Sequence, residues 1–227
     1  MRLYLFRFGS IPGIQAPVPG YLIQHSDGTN VLIDTGPAPG GPITVTPSDD
    51  PVEQLARIGV RPRDVHFVVS SHLDADHCGN HDRFSDAEFV VQRRHLRSAR
   101  SGAVPRILAA QKHWDAPGLR YREIDGDVEL LPGINLIEST GHVPGHQSVL
   151  VRLPDAGPML LAIDAIPNGT ALQPATRPIF PFDVEPEKVR ASTAKLVALA
   201  ECEGAVIVHG HDAEQWATLR HAPDYYS

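Results

Sequence analysis

The stretch SSHLDADHCG, residues 70–79, constrains the fold of this chain more than any other. It places four side chains that can bind metals within six positions, from His72 to His77. The apolar run Val65–Val69 stands directly before it and is typical of a buried strand. The fold must therefore hold the end of a strand, and the loop that follows it, at a polar site.

The residue types of this stretch also indicate the kind of site. Imidazole and carboxylate groups together favour zinc, iron or manganese over magnesium or calcium. Four such side chains lie too close in sequence to face one ion comfortably, so the stretch predicts a two-metal site. The alternative is an ordinary polar turn after a strand, and this stretch alone leaves that alternative open.

Similar side chains recur where other predicted strands end. These further candidates are Asp34, His142, Asp164 and His211. The predicted strands fall into two batches, each followed by helices, which favours two sheets packed face to face with helices outside. We therefore predict an α/β (α+β) chain folded as a four-layer αββα sandwich, with residues 1–227 forming a single domain. The segment 9–20 contains three prolines and is predicted to be a loop, either a connector or a lid over a pocket.

The composition argues against several classes of partner. The chain has 20 Lys and Arg against 27 Asp and Glu, a net charge of −7, and no basic run. Nucleic acids and anionic membrane surfaces are therefore not expected to bind. With only two cysteines, a disulfide framework is not expected, and a cytoplasmic location is the default. The N-terminus alternates like a strand and lacks the apolar core of a signal peptide, and no apolar run approaches a membrane span.

Four motifs resemble the metallo-β-lactamase superfamily. HLDADH, residues 72–77, is similar to its His-x-His-x-Asp-His motif. The segments TGHVPGHQS (140–148), LAIDA (161–165) and GHDAEQ (210–215) resemble, within that superfamily, the N-acyl-homoserine lactonases. The order and spacing agree from residue 21 to the end of the chain. This resemblance implies a metal-dependent hydrolase that cleaves an ester or lactone bond in a small molecule.

The same resemblance implies two divalent metal ions, with zinc expected and iron or manganese as alternatives. The implied ligands are His72, Asp74 and His142 for the first ion, Asp76, His77 and His211 for the second, and Asp164 as the bridge between them. Asp34 is expected outside this set, where it would orient the loop through hydrogen bonds. His146 is expected to be a buried, hydrogen-bonded residue, and His209 would replace His211 as a ligand only if the loop were shifted by two positions.

Two positions depart from the family pattern. Asp74 stands where the middle histidine of the motif is usual, and a harder, charged donor makes the first ion site more tolerant of iron or manganese. Pro167 stands where these lactonases commonly carry a tyrosine that polarises the substrate carbonyl. Tyr4, Tyr21 or a backbone N–H are the candidates to replace that group. Asp74 keeps a di-iron redox protein, related to the flavodiiron reductases, as an alternative, and a thioesterase of the glyoxalase II type is a second one.

The implied mechanism is attack on the carbonyl by a hydroxide that bridges the two ions, which would lie about 3.5–4 Å apart. Asp76 would accept a proton and then return it to the leaving group. Apolar side chains in loops near the predicted site would form the substrate pocket, namely Ile11, Ile14, Ile166, Phe180 and Phe182. The alternative for these five is that they are core residues beneath long loops. A homodimer is a further open expectation.

Overall fold

The first half of the chain forms a six-stranded mixed sheet in a computed structural model that describes residues 1–227. The strands are, in both chain order and spatial order, β1 (Arg2–Ile11), β2 (Ala16–Gln24), β3 (Asn30–Ile33), β4 (Phe67–Val69), β5 (Glu88–Gln92) and β6 (Arg120–Ile124). The pairs β1–β2 and β2–β3 are antiparallel, and β3 to β6 run parallel. The carboxyl ends of β3, β4 and β5 therefore lie at the same edge of the sheet.

The second half forms a five-stranded sheet. Its strands are β7 (Val128–Leu131), β8 (Ile134–Glu138), β9 (Gln147–Leu153), β10 (Gly157–Ile163) and β11 (Val206–His209), in the spatial order β11-β10-β9-β8-β7. The pairs from β7 to β10 are antiparallel, and β11 is parallel to β10. Since β8 and β10 both run opposite to β9, the carboxyl ends of β8, β10 and β11 also share one edge.

Helices cover the outer face of each sheet. They are α1 (Pro51–Arg57), α2 (Ala75–Cys78), α3 (Arg93–Arg100), α4 (Gln111–Trp114), α5 (Pro186–Glu203) and α6 (Ala213–Trp216), with short 3₁₀ turns at Pro47–Asp49, Pro62–Asp64, His81–Phe84, Pro105–Ala110 and Gly169–Ala171. The long helix α5 begins with a proline, where a missing N–H costs nothing, and ends before Gly204, whose φ of 64° suits a left-handed cap. None of the helices is both long and apolar enough to cross a membrane.

The apolar core lies mainly between the two sheets. One face of the first sheet contributes residues such as Leu5 and Val69, and the facing side of the second contributes Val149 and Leu161. The outer faces pack against helices, for example against Leu196 of α5. The predicted four-layer αββα sandwich is therefore confirmed. Residues of both sheets share this central cluster, and the single domain over residues 1–227 stays a prediction.

The prediction of a loop over residues 9–20 was wrong. Strand β1 extends to Ile11 and β2 begins at Ala16, so only a four-residue turn separates them. Up to Gly20, β2 pairs with β1 on one side only, since β3 joins it from Tyr21 onward, and proline is tolerated in such a one-sided stretch. A β-carbon at position 20 would lie 1.9 Å from the ring of Phe8, so only glycine fits there.

Candidate metal centre

Seven histidine and aspartate side chains come together where two sheet edges meet. These are the edges that hold the carboxyl ends of the strands preceding the ligand segments. They form two groups joined by one carboxylate, with His72, Asp74 and His142 on one side, Asp76, His77 and His211 on the other, and Asp164 between them. All seven come from the segments that directly follow β4, β8, β10 and β11, with Asp76 and His77 in the short helix α2. The structure therefore brings together every side chain that the sequence resemblance implied as a ligand.

The first group has the spacing of a tetrahedral ion site. The Nε2 atom of His142 lies 3.1 Å from Oδ2 of Asp74 and 3.3 Å from Oδ2 of Asp164. The Nε2 atom of His72 lies 3.5 and 3.8 Å from the same two oxygens. Ligands about 2.0–2.1 Å from a tetrahedral zinc ion are about 3.4 Å apart, so these four atoms surround a space of the right size for one ion.

The second group repeats this spacing around the other oxygen of Asp164. Its Oδ1 lies 3.1 Å from Nε2 of His211 and 3.4 Å from Nε2 of His77. Oδ2 of Asp76 lies 3.8 Å and 3.6 Å from the same two nitrogens. Each oxygen of Asp164 therefore faces its own pair of imidazoles, which is the arrangement expected of a carboxylate that bridges two ions.

Buried atoms without a protein partner provide a test of whether a metal fits. Nε2 of His72, Nε2 of His77 and Oδ1 of Asp164 are all buried and form no hydrogen bond. Leaving such groups unpaired is costly, and native structures rarely do so without a reason. All three atoms point into the two spaces described above, and imidazole nitrogen with carboxylate oxygen is a common zinc donor set. The residues therefore fit a pair of divalent ions.

The remaining nitrogen of each candidate imidazole ligand faces an oxygen atom outside the ligand set. The Nδ1 contacts are His72 with Oγ of Ser71 at 3.0 Å, His77 with Oδ2 of Asp34 at 2.8 Å, His142 with Oδ1 of Asp183 at 3.4 Å, and His211 with the carbonyl of Pro17 at 2.8 Å. An acceptor at Nδ1 keeps the proton there and leaves the Nε2 lone pair free for a metal. Pro17 belongs to the part of β2 that the sequence predicted as loop.

Asp34 is the residue outside the ligand set that supports ligands of both groups. Its carboxylate accepts hydrogen bonds from the backbone N–H of Ser71 at 2.8 Å, from the hydroxyl of Ser71 at 2.6 Å, and from His77 at 2.8 Å. Because the Ser71 hydroxyl donates to Asp34, its oxygen is left to accept from His72. Asp34 has a φ of 58°, a conformation in which aspartate and asparagine are tolerated better than most residues. One buried carboxylate thus orients an imidazole of each group.

The electrostatics of the centre favour cations. Burial lowers the pKa of His142, but the nearby carboxylates of Asp164, Asp183 and Asp74 outweigh it and raise that pKa to about 9. Burial also opposes ionisation of Asp164, yet the surrounding histidines hold its pKa well below the ordinary value. The negative charge of the carboxylates therefore dominates the centre, and protons or metal ions are the species that satisfy it.

Two buried histidines stand beside the centre without joining it. His146 contacts Oγ of Ser139 through Nδ1 at 2.9 Å and accepts the N–H of Asp164 through Nε2 at 3.3 Å. His95 contacts the carbonyl of Pro144 at 2.8 Å and accepts the N–H of Leu73 at 2.9 Å. With both nitrogens engaged, neither ring has a lone pair for an ion. His95 ties the His72 loop to the His142 loop, a role that no local sequence motif indicated.

His209 lies outside both ligand groups. Its Nδ1 is 2.7 Å from Oδ2 of Asp212, which also accepts the N–H of Gly169. The structure thus places His211, not His209, beside Asp164. The sequence analysis missed three further residues near the centre, Asp183, Arg177 and Arg106. Arg177 is buried and holds Asp183 at 2.8 Å, which positions Asp183 beside His142. Arg177 and Asp183 lie in irregular segments and Arg106 in a short 3₁₀ turn, and none of these sequences carries a recognisable motif.

The residues predicted to line a substrate pocket are separated by the structure. Ile166 is fully buried in the cluster beneath α5 and presents no surface to a substrate, and Phe180 packs against that cluster. Ile14 is 67% exposed at the tip of the β1–β2 turn, close in sequence to Ile11, and Phe182 is 61% exposed in the loop that carries Asp183. Only the side chains at the turn and in this loop are open to a substrate.

Neither tyrosine considered as a replacement at Pro167 reaches an open cleft. Tyr4 packs on the outer side of the first sheet, with its ring 5.4 Å from that of Tyr225. Tyr21 is fully buried between the sheets, and its hydroxyl has no partner. Burial, together with the charges of Asp34 and Asp164, raises the pKa of Tyr21. Pro167 itself supports the centre through its carbonyl, which accepts the N–H of His211 at 2.6 Å.

The buried residue His81 makes the stability of the folded chain depend on pH. It is fully buried, contacts Oγ1 of Thr35 and Oγ of Ser70 at 2.9 Å each, and burial lowers its pKa from 6.5 to about 3. Below pH 6.5 the unfolded chain takes up a proton at this site that the folded chain does not. Stability is therefore lost as the pH falls from 6.5 towards 3, by about 2 kcal/mol at pH 5.

The corresponding variant is His81→Gln, which keeps hydrogen-bonding groups but does not titrate. Urea unfolding at pH 7.5 and pH 5 should show a smaller loss of stability in this variant than in the unmodified chain. His113→Gln, which removes a partly exposed histidine paired with Asp82, serves as the control. If the unmodified chain and His81→Gln lose the same amount of stability between pH 7.5 and pH 5, His81 is not the group responsible for that loss.

A four-layer sandwich with a histidine- and aspartate-rich two-ion centre at the shared edge of its sheets is the architecture of a metal-dependent hydrolase. The model of the metallo-beta-lactamase superfamily matches residues 15–211. The chain belongs to this superfamily.

Known relatives agree over nearly the full length. The N-acyl homoserine lactonase AttM of Azorhizobium caulinodans is 35% identical, with 100% of this chain and 98% of that protein covered. The N-acyl homoserine lactonase AiiA of Bacillus thuringiensis subsp. kurstaki is 32% identical over 93% of this chain and 88% of its own length. A solved N-acyl homoserine lactone hydrolase, with N-hexanoyl-L-homoserine bound at its catalytic metal centre, superposes with a TM-score of 0.87 at 29% identity, covering 99% and 98% of the two chains.

Proposed function

We propose that this chain opens the ring of a lactone, with N-acyl homoserine lactones as the substrate class, using two divalent ions. One observation carries the metal-dependent part of the proposal: each oxygen of Asp164 faces a separate pair of imidazole nitrogens at 3.1–3.8 Å. The substrate class is supported by sequence similarity over the whole chain to an N-acyl homoserine lactonase, at 35% identity.

The proposed ligands are those of the two groups. His72, Asp74 and His142 would hold the first ion, Asp76, His77 and His211 the second, and Asp164 both. Bound ions would supply a Lewis acid for the ester carbonyl and lower the pKa of a nearby water. We propose zinc, because two imidazoles and two carboxylate oxygens around each space form a four-coordinate nitrogen and oxygen donor set. The carboxylate of Asp74 leaves iron and manganese as competing ions.

The side chains of the centre have distinct tasks in this mechanism. Among the proposed ligands Asp76 has the most exposed side chain, at 22%, so it is the carboxylate best placed to take a proton from an attacking water and return it to the ring oxygen. Asp34 and the Pro17 carbonyl keep the proton of His77 and of His211 on Nδ1. Ile14 and Phe182 offer exposed apolar surface that an acyl chain could cover.

The absence of a tyrosine at position 167 has a consequence for this mechanism. Neither Tyr4 nor Tyr21 takes its place, since both side chains are buried in the apolar clusters on the two faces of the first sheet. Polarisation of the carbonyl is then left to the metal centre and to donors that the substrate itself meets at the opening. We therefore propose that this chain relies less on a side-chain donor than lactonases that carry the tyrosine.

A substrate panel tests the proposal against its rivals. Purified protein loaded with zinc or manganese would be assayed with N-hexanoyl homoserine lactone, a simple aryl ester and a glutathione thioester. The rate of acid production would be measured for each substrate. The lactone should be hydrolysed with the highest kcat/KM. Because Asp74 favours the redox alternative, an iron-loaded sample would be tested for oxygen consumption with an added electron donor. Preferred turnover of the thioester, or oxygen consumption without lactone opening, would contradict the proposal.

A further inference from the structure

We infer that Arg106 and Asp74 act as a unit that takes the place of a neutral imidazole at the first ion site, with Arg106 as the positioning residue. This inference rests on the proposed function, because it concerns one of the two ion sites proposed there. It assigns a role to an arginine that no motif in the sequence indicates.

The contact between the two side chains is extensive. Arg106 lies in the 3₁₀ segment Pro105–Ala110, remote in sequence from the ligand loops. Its Nε lies 2.9 Å from Oδ1 and 3.0 Å from Oδ2 of Asp74, and its Nη2 lies 2.9 Å from Oδ2. The same Nη2 is 3.4 Å from Nε2 of His142. The guanidinium thus borders the space that the first ion would occupy.

Charge explains why such a partner is needed. An imidazole at position 74 would be neutral, whereas Asp74 adds a third carboxylate beside Asp76 and Asp164. Asp74 is only 7% exposed, and until an ion binds, a buried carboxylate without another cation nearby is costly. The guanidinium of Arg106 returns the sum of the two side chains to zero, which is the charge of the imidazole that they replace.

Geometry gives Arg106 a second task. Its planar fork can hold a carboxylate at two points, which a point charge such as lysine cannot do. The fork fixes the Asp74 side chain so that Oδ2 faces His72 at 3.5 Å and His142 at 3.1 Å. Without Arg106 the carboxylate would be free to turn, and one donor of the first site would lose its fixed position.

The effect on metal affinity of changing either Asp74 or Arg106 should therefore depend on which residue stands at the other position. If Asp74→His restores the imidazole but leaves Arg106 in place, the guanidinium has no carboxylate and stands beside a divalent cation. If Arg106→Met removes the guanidinium but leaves Asp74, the carboxylate is no longer held in a fixed orientation towards the ion. Only the double variant Asp74→His with Arg106→Met removes both faults, so its first site should bind metal better than either single variant.

Metal binding is the readout, so the test does not depend on catalysis. The unmodified chain and the three variants would be loaded with zinc or cobalt, and the bound metal measured by elemental analysis and by competition with a coloured chelator. Each single variant should bind the weaker of its two ions about 10- to 100-fold less tightly than the unmodified chain, the usual cost of removing a group that orients a ligand. The double variant should recover much of that loss. Arg100→Met removes an exposed ion pair with Asp115 and should leave metal binding unchanged.

The outcomes separate this inference from the proposed function. If the losses of the single variants add in the double variant, or if Asp74→His binds two ions as tightly as the unmodified chain, the inference is overturned. Thermal melting identifies a variant that fails to fold, and Arg106→Met alone then decides, since unchanged metal affinity in it also overturns the inference. If the unmodified chain binds two ions but opens no lactone, the proposed function fails while the metal measurements still decide the role of Arg106.

Discussion

Asp164→Asn is expected to abolish most of the lactone hydrolysis and to release bound metal. Asparagine keeps the shape of the side chain, but it removes the negative charge and replaces one oxygen by an amide nitrogen that cannot bind a cation. One of the two imidazole pairs then loses its shared donor at 3.1–3.8 Å. Losing one ion forfeits several kcal/mol of transition-state stabilisation, and about 4 kcal/mol corresponds to a fall of about 1,000-fold in kcat/KM.

The measurements are the rate of lactone opening and the number of metal ions per chain. Asp155→Asn, which alters an exposed aspartate whose side chain accepts a hydrogen bond from the Ser227 hydroxyl, is the matched control and should behave like the unmodified chain. A chelator should reproduce the effect of Asp164→Asn in the unmodified chain, and added zinc or manganese should reverse it there but not in the variant. Near-normal rates in Asp164→Asn, or in the chelator-treated protein, would be incompatible with a metal-dependent mechanism.

Asp34→Ala should reduce both metal affinity and stability, although the residue belongs to neither ligand group. Alanine removes the acceptor of three hydrogen bonds, leaves the Nδ1–H of His77 unpaired, and places a residue without a polar side chain at a φ of 58°. Breaking a buried charged network of this kind costs about 3–5 kcal/mol of unfolding free energy. Metal affinity should fall by about 10- to 100-fold, because the imidazole is no longer oriented.

Asp34→Asn separates the two effects. Asparagine tolerates the same backbone conformation and can still accept hydrogen bonds through one oxygen, so its loss of stability should be the smaller of the two. Urea unfolding with and without metal, together with chelator competition, would measure both quantities. Equal stability of all three proteins would show that Asp34 is an ordinary turn residue, as the sequence alone allowed.

Much of this protein could be predicted from its sequence because the evidence for it is local. The apolar run before His72 and the residue types that follow it mark a strand that ends at a metal site. The order of strands and helices indicated the sandwich, and short motifs indicated the superfamily. The exception was β2, where Pro17 and Pro19 suggested a loop. A strand tolerates these prolines where it pairs with a neighbour on one side only. Which strands pair with β2 at these positions is decided by the tertiary structure.

The groups that support the ligands could not be predicted in this way. The Pro17 carbonyl that orients His211 is 194 residues away in the chain, and a backbone carbonyl is present at every residue. Arg106 gives no local indication that it would meet Asp74, and Asp183 lies in an irregular loop. The sequence by itself determined which donor atoms are available to a metal. Only the tertiary structure decided which of them face one another and which proton each imidazole keeps, because distances and hydrogen-bond partners exist only once both sheets have packed together.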